Sequence, residues 1–224
     1  MTFFFFLEKI VQINVGRPKD LEKRQRILTA ARNLFLKHGY HGSSMNQIAQ
    51  EAGVTKLTVY NHFQDKANLF VCAIVATCEE LLSARPLNLQ ADSNFYQEFV
   101  HACELALNIT NLPEAIKLER LLVELAAEQN PLAQKFYQAS HLRMLAVWEN
   151  FFQQAIDLGF VCNEELRTLT MLIVSLLFGM RHHEVLLGVR EVPTAEQRQQ
   201  IIQSSIEIFM LKYEKKTLKS TTVP

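Results

Sequence analysis

From Ser44 to Phe63 the chain reads SMNQIAQEAGVTKLTVYNHF, two short helical segments separated by three residues, and that spacing leaves few folds open. Ser44 followed three residues later by Gln47 has the form of a capping box. Met45, Ile48, Ala49 and Ala52 then fall on one helical face, and Gly53 ends the segment. Thr55 caps the next segment, 56–62, within a few residues. Ahead of both, residues 21–38 place Ile27, Ala30, Ala31, Leu34 and Phe35 in one apolar stripe closed by Gly39. A first helix bracing two short ones across a tight glycine turn is a helix-turn-helix. Small Ala49 permits close approach of the pair, and Val59 faces inward to hold their angle.

The last of these helices is unusually polar for its length. Thr55, Lys56, Thr58, Tyr60, Asn61 and His62 spread hydrogen-bonding groups around it, leaving Val54, Val59 and Phe63 for a core. Such a helix suits the major groove of DNA, where most of its circumference meets base edges and phosphates. The formal net charge of zero hides a division that fits this reading. Residues 15–66 carry nine Lys/Arg against four Asp/Glu, and residues 67–224 carry thirteen against eighteen. The smaller, N-terminal part is the basic one, although a solvated helix face accounts for many of these cations equally well.

On these residues the chain resembles the TetR family of bacterial transcriptional repressors. The similarity is dense over 27–70 and includes the spacing of Gly53, Tyr60, Phe63, Lys66 and Leu69. Two positions depart from the family pattern. Leu57 stands where a small residue or Pro is usual, and Ala67 where Glu is usual. Leu57 is suited to a thymine methyl, so the operator is not transferable from a relative. The resemblance implies phosphate contacts from Tyr60, His62 and Lys66, and base reading by Thr55, Lys56, Leu57 and Asn61, with Thr58 on the same helix. It further implies backbone or groove-edge contacts from Ser44 and Asn46, and a basic arm of Arg17, Pro18 and Lys19 along the adjacent minor groove. A half-buried ring packed on the first helix is the competing role for Tyr60, and a plain surface residue for His62.

Beyond this headpiece, helical segments are expected at 67–84, 93–110, 114–128, 131–158, 163–187 and 195–214, separated by Pro86, Pro113, Asn130-Pro131, Gly159 and Pro193. No strand pattern, tandem repeat or low-complexity linker interrupts them. The fold class is therefore all-α: an N-terminal three-helix helix-turn-helix DNA-binding domain (17–66) and a larger C-terminal helical domain for ligand binding and dimerisation (67–216). An N-terminal extension (1–16) and a short tail (217–224) flank them. The stretch TLTMLIVSLLFGM, 168–180, is apolar on every face and too short to span a bilayer, which predicts a helix buried all round. In TetR-like proteins the last two long helices pair with their twofold copies, so the resemblance implies a homodimer through 163–187 and 195–214.

Residues 113–160 are similar to the ligand domain of the AefR-like subgroup, a looser match that implies a small-molecule effector. Aromatic residues gather there, and Phe99, Cys103, Leu122, Tyr137, His141, Trp148 and Phe152 are the candidate lining. For each of them, core packing is the competing role.

Catalysis finds little support. His182-His183-Glu184, His101 near Cys103, and Glu119 with Glu124 are scattered, and no H-E-x-x-H or C-x-x-C spacing points to a metal or other cofactor. A metal-sensing regulator built on these same residues, and a helical adaptor that keeps the fold without binding DNA, stay open as alternatives. The four cysteines lack the spacing of a disulfide framework and read as reduced thiols of a cytoplasmic protein. Phe3 to Leu7 is too short for a membrane span or a signal sequence. Val15 before Gly-Arg-Pro makes an ordinary start, so the first fourteen residues are expected to come from an upstream initiation codon.

Overall fold

The computed structural model describes residues 18–83 and 87–215. Arg17, the N-terminal extension 1–16 and the tail 217–224 lie outside the described residues. The described part is helical: α1 (Pro18–His38), α2 (Met45–Glu51), α3 (Lys56–Phe63), α4 (Lys66–Ser83), α5 (Phe95–Thr110), α6 (Pro113–Ala127), α7 (Pro131–Asp157), α8 (Leu166–Leu177), α9 (Gly179–Leu186) and α10 (Ala195–Tyr213). No strand is present among these residues, and one isolated antiparallel bridge joins Val161 to Glu214. The chain divides into two compact units, Met1–Ala76 and Thr77–Pro224.

In the first unit α1 begins three residues earlier than its apolar stripe indicates, because Pro18 is well tolerated in a helix's first turn. It buries Ile27, Leu28, Ala30, Ala31 and Phe35. The capping box of α2 is formed on both sides. Gln47 N–H donates to Ser44 Oγ at 3.3 Å, and Ser44 N–H donates to Gln47 Oε1 at 2.9 Å. Gly53 turns the chain at φ +64°, a conformation that costs a residue with a Cβ about 1 kcal/mol or more. Thr55 Oγ1 then accepts from Thr58 N–H at 3.2 Å to start α3. Ile48, Ala49, Val59 and Phe63 are buried and set the α2–α3 packing.

The second unit is organised around an aromatic core. Phe99 is fully buried with Trp148, Phe151, Phe152 and Phe209 around it at centroid distances of 5.1–6.3 Å. Phe95 stacks on Phe160 at 5.1 Å. Each fully buried ring of this kind contributes about 1.5–3 kcal/mol through burial, and well-oriented pairs add about 0.5–1.5 kcal/mol. These rings come from α5, α7, the turn after α7 and α10, with Leu169, Ile173 and Leu177 of α8 completing the core.

The expected single helix over 163–187 is corrected to two. Gly179, the first residue of α9, takes φ +45°, outside the right-handed helical region, so α8 does not run on through it and the two helices are bent by 58°. Within the single chain the stretch 168–180 is covered on one side. Leu169, Thr170, Ile173 and Leu177 are buried, but Met171 and Met180 are exposed. No single helix among the described residues is long and apolar enough to cross a membrane, and α8 with α9 reach that threshold only as a bent pair.

Candidate nucleic-acid interface and effector site

Helix α3 owes its presentation to a strict division of its surface. Val59 and Phe63 are fully buried, and Arg24 of α1 lays its guanidinium over the Phe63 ring, 5.1 Å from the centroid. Thr55, Lys56, Leu57, Tyr60 and Asn61 are exposed, and Leu57, at 68 % exposure, has no core to enter. Lys56 Nζ lies 5.6 Å from the centroid of the Tyr60 ring, so the two side chains share one edge of the helix. Thr58 is half-buried, and its hydroxyl is 2.8 Å from that of Thr55. Ser44 and Asn46 are exposed at the start of α2, although the Ser44 hydroxyl is engaged with Gln47 Oε1 at 2.8 Å. Lys19 lies in the first turn of α1.

Two residues expected to meet phosphate make contacts within the protein. His62 is half-buried and turned toward α1, with Nε2 3.2 Å from Asp20 Oδ1. The Lys66 ammonium donates to the carbonyls of Tyr40 at 2.8 Å and Ser43 at 3.0 Å, and sits 4.3 Å from the centroid of the Tyr40 ring. Burial lowers the Lys66 pKa and, together with Asp65, raises that of Tyr40. The backbone N–H of Lys66 opens α4, where the helix dipole favours an anion.

The joint between α3 and α4 is a strained γ-turn. Gln64 has φ +64° and ψ −58°, and Asp65 N–H donates to Phe63 O at 2.7 Å. Asn68 reinforces it, its side-chain amide donating to Phe63 O at 3.1 Å and its N–H to Asp65 Oδ1 at 2.7 Å. The sequence reading missed Asp20, Tyr40 and Gln64, none of which stands in a pattern that marks its role.

The seven candidate effector residues separate into two groups. Phe99, Cys103, Trp148 and Phe152 are at most 2 % exposed and belong to the packed aromatic core, and burial raises the Cys103 thiol well above its ordinary pKa. They lie within the packed aromatic core, so a lining role for any of them requires a cavity among these rings. Leu122, Tyr137 and His141, by contrast, lie on α6 and α7 with part of their surface accessible. Tyr137 stacks on His141 at 5.2 Å, and Ser140 Oγ is 2.9 Å from His141 Nδ1. His182 Nε2 of α9 lies 2.8 Å from Glu119 Oε2 of α6, with Phe178 edge-on to the imidazole at 5.6 Å. Burial lowers the His141 pKa, while Glu119 raises it and His182 lowers it further. Arg120 ties the same helices together by donating to the carbonyls of Leu186 and Val185 at 2.8 and 3.0 Å.

Comparison with known proteins matches both units. Residues 27–72 match "Bacterial regulatory proteins, tetR family", and residues 98–215 match "AefR-like transcriptional repressor, C-terminal domain". The chain is 38 % identical over 66 residues to the HTH-type transcriptional activator FasR of Mycolicibacterium smegmatis, a match spanning 30 % of either protein. It is 26 % identical over 190 residues to the HTH-type transcriptional regulator SrpR of Pseudomonas putida, covering 84 % of both. Among solved structures, a TetR-family regulator from Mesorhizobium loti superposes with a TM-score of 0.77 at 24 % identity, covering 88 % of this chain and all of that one.

Proposed function

Because this chain belongs to the TetR family of bacterial regulatory proteins, with an AefR-like C-terminal domain, we propose that it is a homodimeric repressor that leaves a palindromic operator when a small molecule binds. The family is one of DNA-binding transcriptional regulators, not of enzymes. The observation that carries the proposal is α3 itself: a capped helix locked from one side by Val59 and Phe63, with Lys56, Leu57, Tyr60 and Asn61 exposed. A polar helix held this firmly has little to gain except a partner that reads its outer face.

In this reading Thr55, Lys56, Leu57 and Asn61 meet base edges, while Tyr60, Asn46 and the backbone N–H of Lys66 meet phosphates. Arg17 and Lys19 supply the basic arm. The dimer forms through α8, α9 and α10, whose exposed apolar side chains support it, and twofold symmetry sets two recognition helices about 34–36 Å apart for successive major grooves. We assign the effector site to α6, α7 and α9, around Leu122, Tyr137 and His141, a reading supported by Glu119 and His182 beside His141. A ligand there changes DNA affinity only through its different affinity for two conformations of the protein. Such a protein works in the cytoplasm, where its operator is.

The test is fluorescence anisotropy of the purified protein on DNA fragments tiled across its own upstream region, at two salt concentrations. One palindromic fragment bound tightly, with strong salt dependence and two chains per site, is the expected result. Equal, weak binding to every fragment overturns the repressor reading for this region and favours the adaptor.

A further inference from the structure

The loop between α1 and α2 is pinned from two directions. From α1, the buried Ser43 hydroxyl lies 3.1 Å from Leu34 O and 2.8 Å from Gly39 O, which fixes the loop to the helix it leaves. From α4, the Lys66 ammonium holds the carbonyls of Tyr40 and Ser43 while resting on the Tyr40 ring. That ring is itself packed edge-on to Phe70 of α4 at 5.2 Å and against Phe35 of α1 at 6.0 Å. The residue after Ser43 is Ser44, the N-cap of α2. Two of the three ammonium donors are committed to these carbonyls and its charge rests on the ring, and without Lys66 the Tyr40 carbonyl keeps only the long 3.4 Å bond from Ser43 N–H while the Ser43 carbonyl loses this partner.

We propose that Lys66 is a positioning residue, a latch that ties the first turn of α4 to the entrance of α2, and that its ammonium does not contact DNA phosphate. The latch fixes where α2 starts, and α2 in turn carries α3. A displacement of α4 is thereby handed to the reading head through the Lys66–Tyr40–Ser43 contacts as well as through the Gln64 joint. The inference rests on the DNA-binding reading for its salt-dependence arm and stands independently of it for its structural arm.

The experiment compares Lys66→Met and Lys66→Gln with the wild-type full chain in two measurements. The first is hydrogen exchange of the amides from Ser43 to Glu51. The latch predicts roughly tenfold faster exchange in Lys66→Met, with partial recovery of protection in Lys66→Gln, whose amide can still donate to one carbonyl. The second is the salt dependence of binding to the tiled fragment that wild type binds best. The latch predicts weaker binding with the slope of log affinity against log salt unchanged in both variants. A phosphate contact predicts a slope smaller by about one unit in both, with exchange at wild-type rates. That second pattern overturns the proposal. If wild type binds none of the fragments, the repressor reading fails for that region, and the exchange measurement still decides the latch. Should Lys66→Met fail to fold, Lys66→Gln against Tyr40→Leu carries the same comparison, because the latch predicts loosening of the same amides in both.

Discussion

His62 Nε2 and Asp20 Oδ1 lie 3.2 Å apart, joining the last turn of α3 to the first turn of α1. The pair ties the reading helix to its brace. The Asp20 carboxylate is about half exposed, so solvent screens the pair and its value is small. A double-mutant cycle with His62→Ala and Asp20→Ala, read by urea denaturation, is expected to give a coupling of roughly 0.2–1 kcal/mol. A coupling of zero removes the pair from the forces that set the angle of α3.

Gln64 holds a conformation that glycine adopts without penalty. Its φ of +64° with ψ −58° is a strained geometry for a side-chain-bearing residue, costing on the order of 1–3 kcal/mol. Gln64 is exposed, so replacing it removes no core contact. Gln64→Gly is expected to leave stability unchanged or raise it by about 1 kcal/mol, since relief of strain competes with the greater freedom of glycine in the unfolded chain. A loss of more than about 1 kcal/mol on denaturation shows that the Gln side chain stabilises the joint in a way the backbone does not reveal.

Core and effector roles separate by substitution. Phe99 is fully buried against five other aromatic rings, and Phe99→Ala is expected to destabilise by about 3–5 kcal/mol whether or not a ligand is present. Tyr137, at 40 % exposure, is expected to cost less than about 1.5 kcal/mol as Tyr137→Ala, most of it from lost stacking on His141. Thermal and denaturant unfolding of both variants checks this ordering, and equal losses overturn it.

The headpiece was legible because its signals are local. Ser44 with Gln47, Gly53, Thr55 and the inward Val59 each act within a few residues, so pattern and geometry coincide. Apart from the local turn at Gln64, what sequence reading missed depends on distance along the chain. Lys66 meets carbonyls 23 and 26 residues away, and His182 meets a carboxylate 63 residues away. No spacing rule encodes such pairs. The break at Gly179 was written in the sequence as a glycine, but the apolar run that leads up to it and the helix-forming residues beyond it read as one segment. In the C-terminal unit, an aromatic cluster that fills a core and one that lines a cavity have the same composition. Only the packing of Phe99 and Trp148 tells them apart.

His141 gives the C-terminal unit a pH dependence whose sign follows from its environment. Burial favours the neutral imidazole and lowers its pKa below the ordinary 6.5, and the nearby Glu119 opposes this while His182 adds to it. Between the folded and unfolded values the unfolded chain binds more protons, so stability rises with pH there. The contribution is fully present above about 6.5 and is lost as pH falls toward the folded value. Urea midpoints measured from pH 7.5 down to 5.0 are expected to fall in wild type and to fall less steeply in His141→Gln. Parallel curves assign the acid sensitivity to other groups.

Leu211 tests the dimer. On α10, Ile206 and Phe209 are buried, while Ile208 and Leu211 stand on the opposite side at 48 % and 85 % exposure. Met180 at 73 % and Leu187 at 65 % are similarly uncovered in and just beyond α9. So many exposed large apolar side chains on two neighbouring segments of the sequence are costly in a monomer, since each side chain gains about 1.5–3 kcal/mol when fully buried. A carboxylate in place of Leu211 loses little in the single chain, where the position already faces water, but must be desolvated in an interface. Leu211→Glu is therefore expected to keep the wild-type circular dichroism spectrum and to sediment as a monomer at micromolar concentrations, where wild type sediments as a dimer. A dimer undisturbed by Leu211→Glu moves the interface off this face of α10, and a monomeric wild type removes the homodimer altogether.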